Sequence, residues 1–305
     1  IIVHVLQIRS NGNIDLEEVT PTVYQTRNVT KKTTTVLLAD IGKKIGRTVL
    51  VEAEVAQVKQ TSGPTIFTVV DESGTANAAA FIEAGVRAYP EVELGDIVGV
   101  MGEVMQRNNQ LQIEVGSMTV LEPEDAARVR ERIDAALDLR AEPADLPFLV
   151  ESDVLSALRP QMRLVAKEIR KAVLTARPII LRHHADADGI CAAVAVEQAV
   201  TALIRETSGD FDAEYFLFKR SPSKAPFYEI EDITRDIDFA LKDNIRYGQK
   251  MPMILLMDNG STEEDMPSLK VTRIYGLPVL VVDHHHPDAI VDDYLIGHVN
   301  PYHVG

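Results

Sequence analysis

Pro278-Val279-Leu280-Val281-Val282-Asp283-His284-His285-His286 is an apolar run that ends in a carboxylate and three imidazoles. A short apolar run of this kind reads as a buried strand. Two upstream runs end in the same manner. Pro178-Ile179-Ile180-Leu181 leads into His184-Ala185-Asp186-Ala187-Asp188-Gly189, and Met253-Ile254-Leu255-Leu256-Met257 leads into Asp258-Asn259-Gly260. In an open α/β sheet the carboxyl ends of parallel strands share one crevice, where ligands bind. The three polar clusters are expected to meet there, in a place suited to metal ions.

Residues 179–182, 213–219, 253–257 and 279–282 read as strands, and residues 296–300 begin another. Residues 189–206 read as a helix with Ala193, Val196, Val200 and Leu203 inward. Residues 230–247 and a short stretch ending near Tyr275 are helical as well. This alternation predicts a doubly wound, mostly parallel α/β sheet. Two helices precede it, at 124–139 and 151–176. The second carries Leu155, Leu158, Met162, Val165, Ile169 and Val173 near one face.

Residues 36–122 have a different rhythm. Strands are expected at 48–58, 65–70, 76–82, 96–105 and 110–121, with turns at Ser62-Gly63-Pro64, Ser73-Gly74 and Arg107-Asn108-Asn109. A short helix is expected at 82–88. Five strands with a helix between the third and fourth is the order of an OB-fold barrel. The phrase Phe67-Thr68-Val69-Val70-Asp71-Glu72-Ser73-Gly74, followed by Ala78-Ala79-Ala80-Phe81, resembles OB domains of the anticodon-binding and single-strand-binding type. Phe67 and Phe81 are assigned to the barrel core. The span holds 6 Lys and Arg against 12 Asp and Glu, so a strand-guiding role competes with a protein-docking or structural one. Upstream, Ser10-Asn11-Gly12-Asn13 between apolar runs signals a hairpin. Residues 1–20 resemble the closing strands of an S1-like barrel. Residues 21–35 are a polar linker with Arg27, Lys31 and Lys32.

The chain of 305 residues suits about two domains, and 46% hydrophobic with 25% charged residues is ordinary for a globular protein. A net charge of −15 opposes simple electrostatic binding of nucleic acid, but not a local basic surface or a metal-bridged phosphate. The single cysteine, Cys191, excludes an intrachain disulfide framework and a Cys-rich zinc site, and fits a reducing cytoplasm. No apolar stretch reaches the roughly 20 residues of a membrane span, so no membrane partner is expected. The chain opens at Ile1 and closes at Gly305 close to strand-like segments, and reads as a piece of a longer protein.

His184, Asp186 and Asp188 alternate. On an extended chain they would point to one side, with Gly189 turning the chain into the helix. Two carboxylates and an imidazole suit Mn²⁺ or Mg²⁺. Asp186 and Asp188 are equally suited to capping the helix, and Asp258 to capping the element after it. Adjacent histidines behind a Val-rich buried strand need partners, which a metal or a phosphate would supply. Two ions bridged by one carboxylate make a site that activates water and clamps a phosphoryl oxygen.

Asp283-His284-His285 together with His184-x-Asp186-x-Asp188-Gly189 resembles the DHH phosphoesterase family. The OB span ahead, with S1-like strands before it, resembles archaeal RecJ-like single-strand nucleases. The resemblance divides the chain into S1-like strands (1–20), linker (21–35), OB domain (36–122), helical linker (123–147) and a C-terminally incomplete DHH domain (148–305). It implies two divalent ions, Mn²⁺ before Mg²⁺, held by His184, Asp186, Asp188, Asp258 and His284, with Asp258 bridging. It implies that Asp283 orients His284 and that His285 sits near the scissile phosphate. RecJ-type enzymes often have Asp where His184 stands. The family's fourth-motif Asp and its C-terminal substrate-binding domain are not found before Gly305 and are expected beyond it. Lys219, Arg220 and Lys224 are candidates for phosphate contacts, with a solvated loop as the alternative. The implied activity is metal-dependent hydrolysis of single-stranded DNA or RNA from an end, in replication, repair or RNA turnover. Alternatives are a hydrolase of short oligonucleotides, cyclic dinucleotides or pyrophosphate, and a scaffold of a replication complex docked on replication proteins.

Overall fold

A computed structural model describes residues 3–8, 14–18, 35–107, 110–208 and 212–305. The Asn11-Gly12 turn, the linker cations Arg27, Lys31 and Lys32, and the Asn108-Asn109 turn lie outside the described residues. The chain divides into two compact units, Ile1–Thr33 and Thr34–Gly305. In the first, β1 (Val3–Ile8) and β2 (Ile14–Glu18) pair antiparallel, Ile8 opposite Ile14.

The second unit begins with a closed five-stranded barrel. Its strands are β3 (Thr48–Gln60), β4 (Thr65–Val70), β5 (Thr75–Ala80), β6 (Ile97–Arg107) and β7 (Gln110–Val120), in the order β3-β4-β5-β7-β6. Only β5 and β7 pair in parallel. Alternate residues fill the interior, among them Val49, Val51, Ala53, Val55, Phe67, Val69, Ala78, Val100 and Ile113. A bulge between Val55 and Gln57 bends β3 and closes the barrel.

Two expectations fail here. Residues 82–88 form turns rather than a helix. Gly85 takes φ +76°, a left-handed conformation that interrupts any helix, and the Ala88 amide donates to Thr65 Oγ1 at 2.8 Å. Phe81 is 64% exposed and is not in the core, because β5 ends at Ala80 and the pleat no longer turns the next residue inward.

Helix α1 (Pro123–Ala141) lays Val129 and Ile133 on Ile97 of the barrel. Its Asp138 pairs with Lys167 at 2.6 Å and Lys171 at 2.7 Å on α2 (Asp153–Leu174). The parallel sheet follows, in the order β12-β11-β10-β8-β9. Its strands are β8 (Ile179–His184), β9 (Phe218–Ser223), β10 (Met253–Met257), β11 (Val279–Val282) and β12 (Gly297–Val299). The connecting helices are α3 (Ala187–Thr207), α4 (Ala213–Leu217), α5 (Ile230–Tyr247) and α6 (Met266–Ile274). Leu181, Leu255 and Leu280 face Val165, Ala193 and Val200 on one side of the sheet. Ile180, Ile254 and Val281 face Ile233, Ile237 and Leu269 on the other. Burial on both faces explains why these strands read as continuous apolar runs rather than alternating ones.

Residues 213–217 are helical, and the second strand starts only at Phe218. Lys219, Arg220 and Ser221-Pro222-Ser223 therefore lie on the strand and not in a loop after it. Pro222 is tolerated because β9 is an edge strand. Helix α3 also corrects the membrane reading, since its 21 residues are long and apolar enough to cross a membrane. Much of that apolarity is alanine, and Ala193, Val200 and Ile204 are spent on the sheet.

The chain visits β9 on one side of β8 and then β10 on the other, so the topological switch lies between β8 and β10. The barrel packs at the opposite, amino-terminal ends of these strands. Gln57 Nε2 donates to the Tyr247 carbonyl at 2.9 Å, and Lys250 Nζ meets Glu54 at 2.9 Å. Strand β8 has six residues, so about 20 Å of sheet separates the barrel end from the carboxyl end.

Candidate metal centre

The carboxyl ends of β8, β10 and β11 bring the three clusters together at the switch point. His184 is the last residue of β8. Asp186 is the N-cap of α3, its Oδ1 accepting the Gly189 amide at 3.1 Å. Asp188 lies in the first turn of that helix. The three thus converge through a strand-to-helix turn and not through alternation along an extended chain. Gly189 is helical too, so it does not serve as the turn. A Cβ there would lie 2.4 Å from the His184 carbonyl and 2.8 Å from Asp258 Oδ2. Its bare Cα admits the neighbouring carboxylate.

Asp258 is central. Its Oδ1 lies 3.0 Å from His284 Nε2 and 3.8 Å from His285 Nδ1, and its Oδ2 3.6 Å from His184 Nδ1. His284 Nε2 is also 3.2 Å from Asp188 Oδ2, and His184 Nδ1 is 3.1 Å from Asp186 Oδ2. Asp258 belongs to two triads whose ligand atoms lie within 4.8 Å of one another, Asp258-His284-His285 and His184-Asp186-Asp258. Burial, and then the Asp186 and Asp188 charges, push its carboxyl above the usual carboxylate range. The Gly189 amide holds Asp186 below that range.

These residues fit divalent cations. Among the described residues, His184 Nδ1 and Asp258 Oδ2 are buried without a hydrogen-bond partner, since the short approach of Asp186 to His184 lacks hydrogen-bond geometry. Among the described residues no lysine or arginine pairs with Asp186, Asp188 or Asp258. Three carboxylates and two imidazoles around one point, with an uncompensated buried oxygen, form a hard-to-borderline donor set.

Asp283 does not orient the His284 ring as expected. Its Oδ1 accepts the His284 amide at 2.8 Å and lies 2.7 Å from His285 Nδ1, so it orients the His285 ring and fixes the loop backbone. Burial favours the neutral Asp283 carboxyl, but Ser261, His285 and the two loop amides hold it below its usual range. Burial alone would lower the His285 imidazole. Asp283, with Asp258 and Asp188 behind it, raises it instead.

Behind this loop stand residues that the sequence reading did not single out. Asp292 Oδ1 is 2.7 Å from His298 Nδ1, His298 Nε2 is 3.0 Å from Ser261 Oγ, and Asn300 Nδ2 donates to the His285 carbonyl at 2.9 Å. The available signal was Gly297-His298-Val299-Asn300, a short strand candidate with polar residues at its end.

The cationic candidates separate. Lys219 pairs with Ile180 near the start of β8, and its Nζ lies 3.9 Å from the Phe239 ring centroid. Arg220 is held by Glu197 at 2.7 Å and lies 3.3 Å from His183 Nε2. Lys224, exposed and next to Ser223, which pairs with His184, is alone of the three at the crevice end.

Residues 49–121 match the family model of an OB-fold nucleic acid binding domain of the tRNA anticodon type. The chain is 46% identical over 317 residues to an uncharacterized protein of Methanocaldococcus jannaschii, covering 100% of this chain and 42% of that protein. A solved structure described as the DHH domain of a member of the s1p family of ribosomal proteins is 46% identical, with a TM-score of 0.59. The match covers 60% of this chain and 43% of that one. The second OB-fold domain of replication protein A from Methanococcus maripaludis is 21% identical over 29% of this chain and 96% of its own, but a TM-score of 0.25 carries no inference. The chain spans less than half the length of the first two relatives. It contains an OB-fold domain and a parallel α/β sheet, and it is similar to a solved DHH-domain protein.

Proposed function

We propose that the crevice is the centre of a metal-dependent phosphodiesterase acting on single-stranded nucleic acid from an end, as RecJ-like nucleases do. The observation that carries this reading is Asp258, shared by two ligand triads with one buried oxygen unpartnered. Two divalent ions, Mn²⁺ foremost, would be held by His184, Asp186, Asp188, Asp258 and His284. Bound there, they supply Lewis-acid activation of a water and of a phosphoryl oxygen. Asp283 takes His285 Nδ1 and raises that imidazole, leaving Nε2 to donate to a phosphate oxygen. Lys224 adds positive charge at the crevice end. Similarity to an OB-fold nucleic acid binding family supports a nucleic-acid substrate.

The test is cleavage of end-labelled single-stranded DNA and RNA by the full chain with Mn²⁺, beside Asp186→Ala. Metal-dependent shortening from one end, lost in the variant, is expected. Absence of cleavage of both polymers, or full activity in Asp186→Ala, refutes the reading. One observation favours a second reading, hydrolysis of short oligonucleotides or cyclic dinucleotides: the barrel lies about 20 Å from the centre and does not wall it. Turnover of dinucleotides without turnover of polymers would select that alternative.

A further inference from the structure

Away from the crevice, a cavity of about 490 Å³ opens where α5 and the start of β9 meet the residues that lead into β10. Its composition is unlike the rest of the chain. The protein has 8 Tyr, 8 Phe and no Trp, and Tyr215, Phe216, Phe218, Phe239 and Tyr247 all line this one cavity. In a chain of net charge −15, the same walls carry Lys219, Lys242, Arg246 and Lys250 against the single carboxylate of Asp243.

The aromatics are not all packing. Tyr215 is 84% and Phe239 49% exposed. Phe216 lies between Tyr215 and Tyr247, its ring centroid 5.1 Å from each, and this edge-to-face cluster forms a stiff wall. Lys219 Nζ sits over the Phe239 ring at 3.9 Å, so a cation and a π-face are presented together. Lys250 is committed to Glu54 of the barrel. Among the described residues Lys242 shares only an exposed pair with Asp238, a weak bond that a phosphate can replace, and Arg246 is exposed.

We propose that this cavity binds a segment of single-stranded nucleic acid, with bases stacked on Phe239 and Tyr215 and phosphates held by Lys219, Lys242 and Arg246. Aromatic platforms beside a positive groove are what single strands need, and the volume suits a nucleotide. From this cavity the edge strand β9 leads toward the crevice, from Lys219 to Ser223 with Lys224 beyond. The path from Lys219 to Ser223 is about 13 Å, so a strand anchored here would follow the sheet edge to the catalytic centre. This assignment deepens the proposed function and rests on its nucleic-acid reading.

Binding is measured apart from cleavage. The full chain, in EDTA, is titrated by fluorescence anisotropy with a fluorescein-labelled oligothymidylate of roughly 20 nucleotides, longer than a single OB-type site, and with thymidine monophosphate as competitor. Phe239→Ala is expected to weaken strand affinity about tenfold, with Phe239→Trp retaining it. Lys242→Ala combined with Arg246→Ala is expected to reduce the slope of log affinity against log salt by about 1.4. Mn²⁺-dependent turnover of a dinucleotide, too short to reach both places, should stay unchanged in these surface variants. Wild-type strand affinity in all variants overturns the assignment. If strands are still cleaved in that case, the proposed function stands without this site. Displacement of the strand by the monophosphate at equal concentration would overturn the polymer assignment in favour of a mononucleotide site.

Discussion

Asp258 shows at a single position what the site demands of the fold. It adopts φ +58°, a left-handed conformation costly for a residue with a Cβ, and its carboxyl is buried beside two other carboxylates. Its folded-state pKa lies above its usual value, so the charged form is disfavoured in the metal-free fold and weighs against stability at neutral pH. Asp258→Asn is therefore expected to raise the Tm in EDTA by about 1–3 °C, while Mn²⁺-dependent activity falls at least ~100-fold. Calorimetry with and without Mn²⁺, beside the cleavage assay, checks both signs, and a lower Tm in EDTA would contradict the charge-crowding account. Asp258 and His284 were legible in the sequence because each terminates an apolar run. The role of Asp283 was not, because nothing in residue order tells which of two adjacent imidazoles a carboxylate will face.

Between residues and domain, strand β8 and helix α5 are joined by a buried ionic cluster. Arg182 Nη2 donates to Asp236 at 2.6 Å and Nη1 to Asp232 at 3.0 Å, while the Tyr228 hydroxyl donates to Asp236 at 2.9 Å. Arg182 closes the strand read at 179–182, just past its apolar run, and the helix packed across it supplies its partners. Removing one member leaves a buried charge uncompensated. Asp236→Ala is expected to cost about 3–5 kcal/mol, and the pair Arg182→Met with Asp236→Leu much less. Urea unfolding of the three proteins tests this, and a cost below about 1 kcal/mol for the single variant would show that solvent reaches the arginine. In the middle of β12, burial lowers the His298 imidazole from its usual 6.5, and Asp292 offsets this only in part. A depressed histidine pKa contributes stability that is complete above 6.5 and is lost as pH falls through the folded-state value. The metal-free chain should lose Tm on acidification below that point, and His298→Gln should lose less. Equal slopes in the two proteins would exclude His298 as a cause.

At the scale of the molecule, Gly248 couples barrel to sheet. It closes α5 at φ +57°, and a Cβ there would lie 2.1 Å from the Val58 carbonyl of β3. Gly248→Ala strains the cap and wedges the two parts apart. Calorimetry should show a lower Tm with a broadened or split transition, whereas a single sharp transition at the wild-type Tm would mean that the junction adapts freely. Much of the architecture could be read without coordinates, since helix α5 and strands β4, β10 and β11 fall where apolar pattern and turn residues put them. Local periodicity and strand-end polarity are properties of neighbouring residues, so sequence by itself determined the doubly wound sheet, the barrel and the candidates His184, Asp186, Asp188, Asp258 and His284. The short helix Ala213–Leu217, the exposed Phe81 and the pairing of Asp283 with His285 were decided by the course of the folded backbone, which the apolar pattern does not record. So were the sharing of Asp258 between two triads and the barrel's seat at the amino-terminal ends of the sheet. Sheet order and domain docking arise from side chains meeting across the fold, and no local pattern records which surfaces will meet.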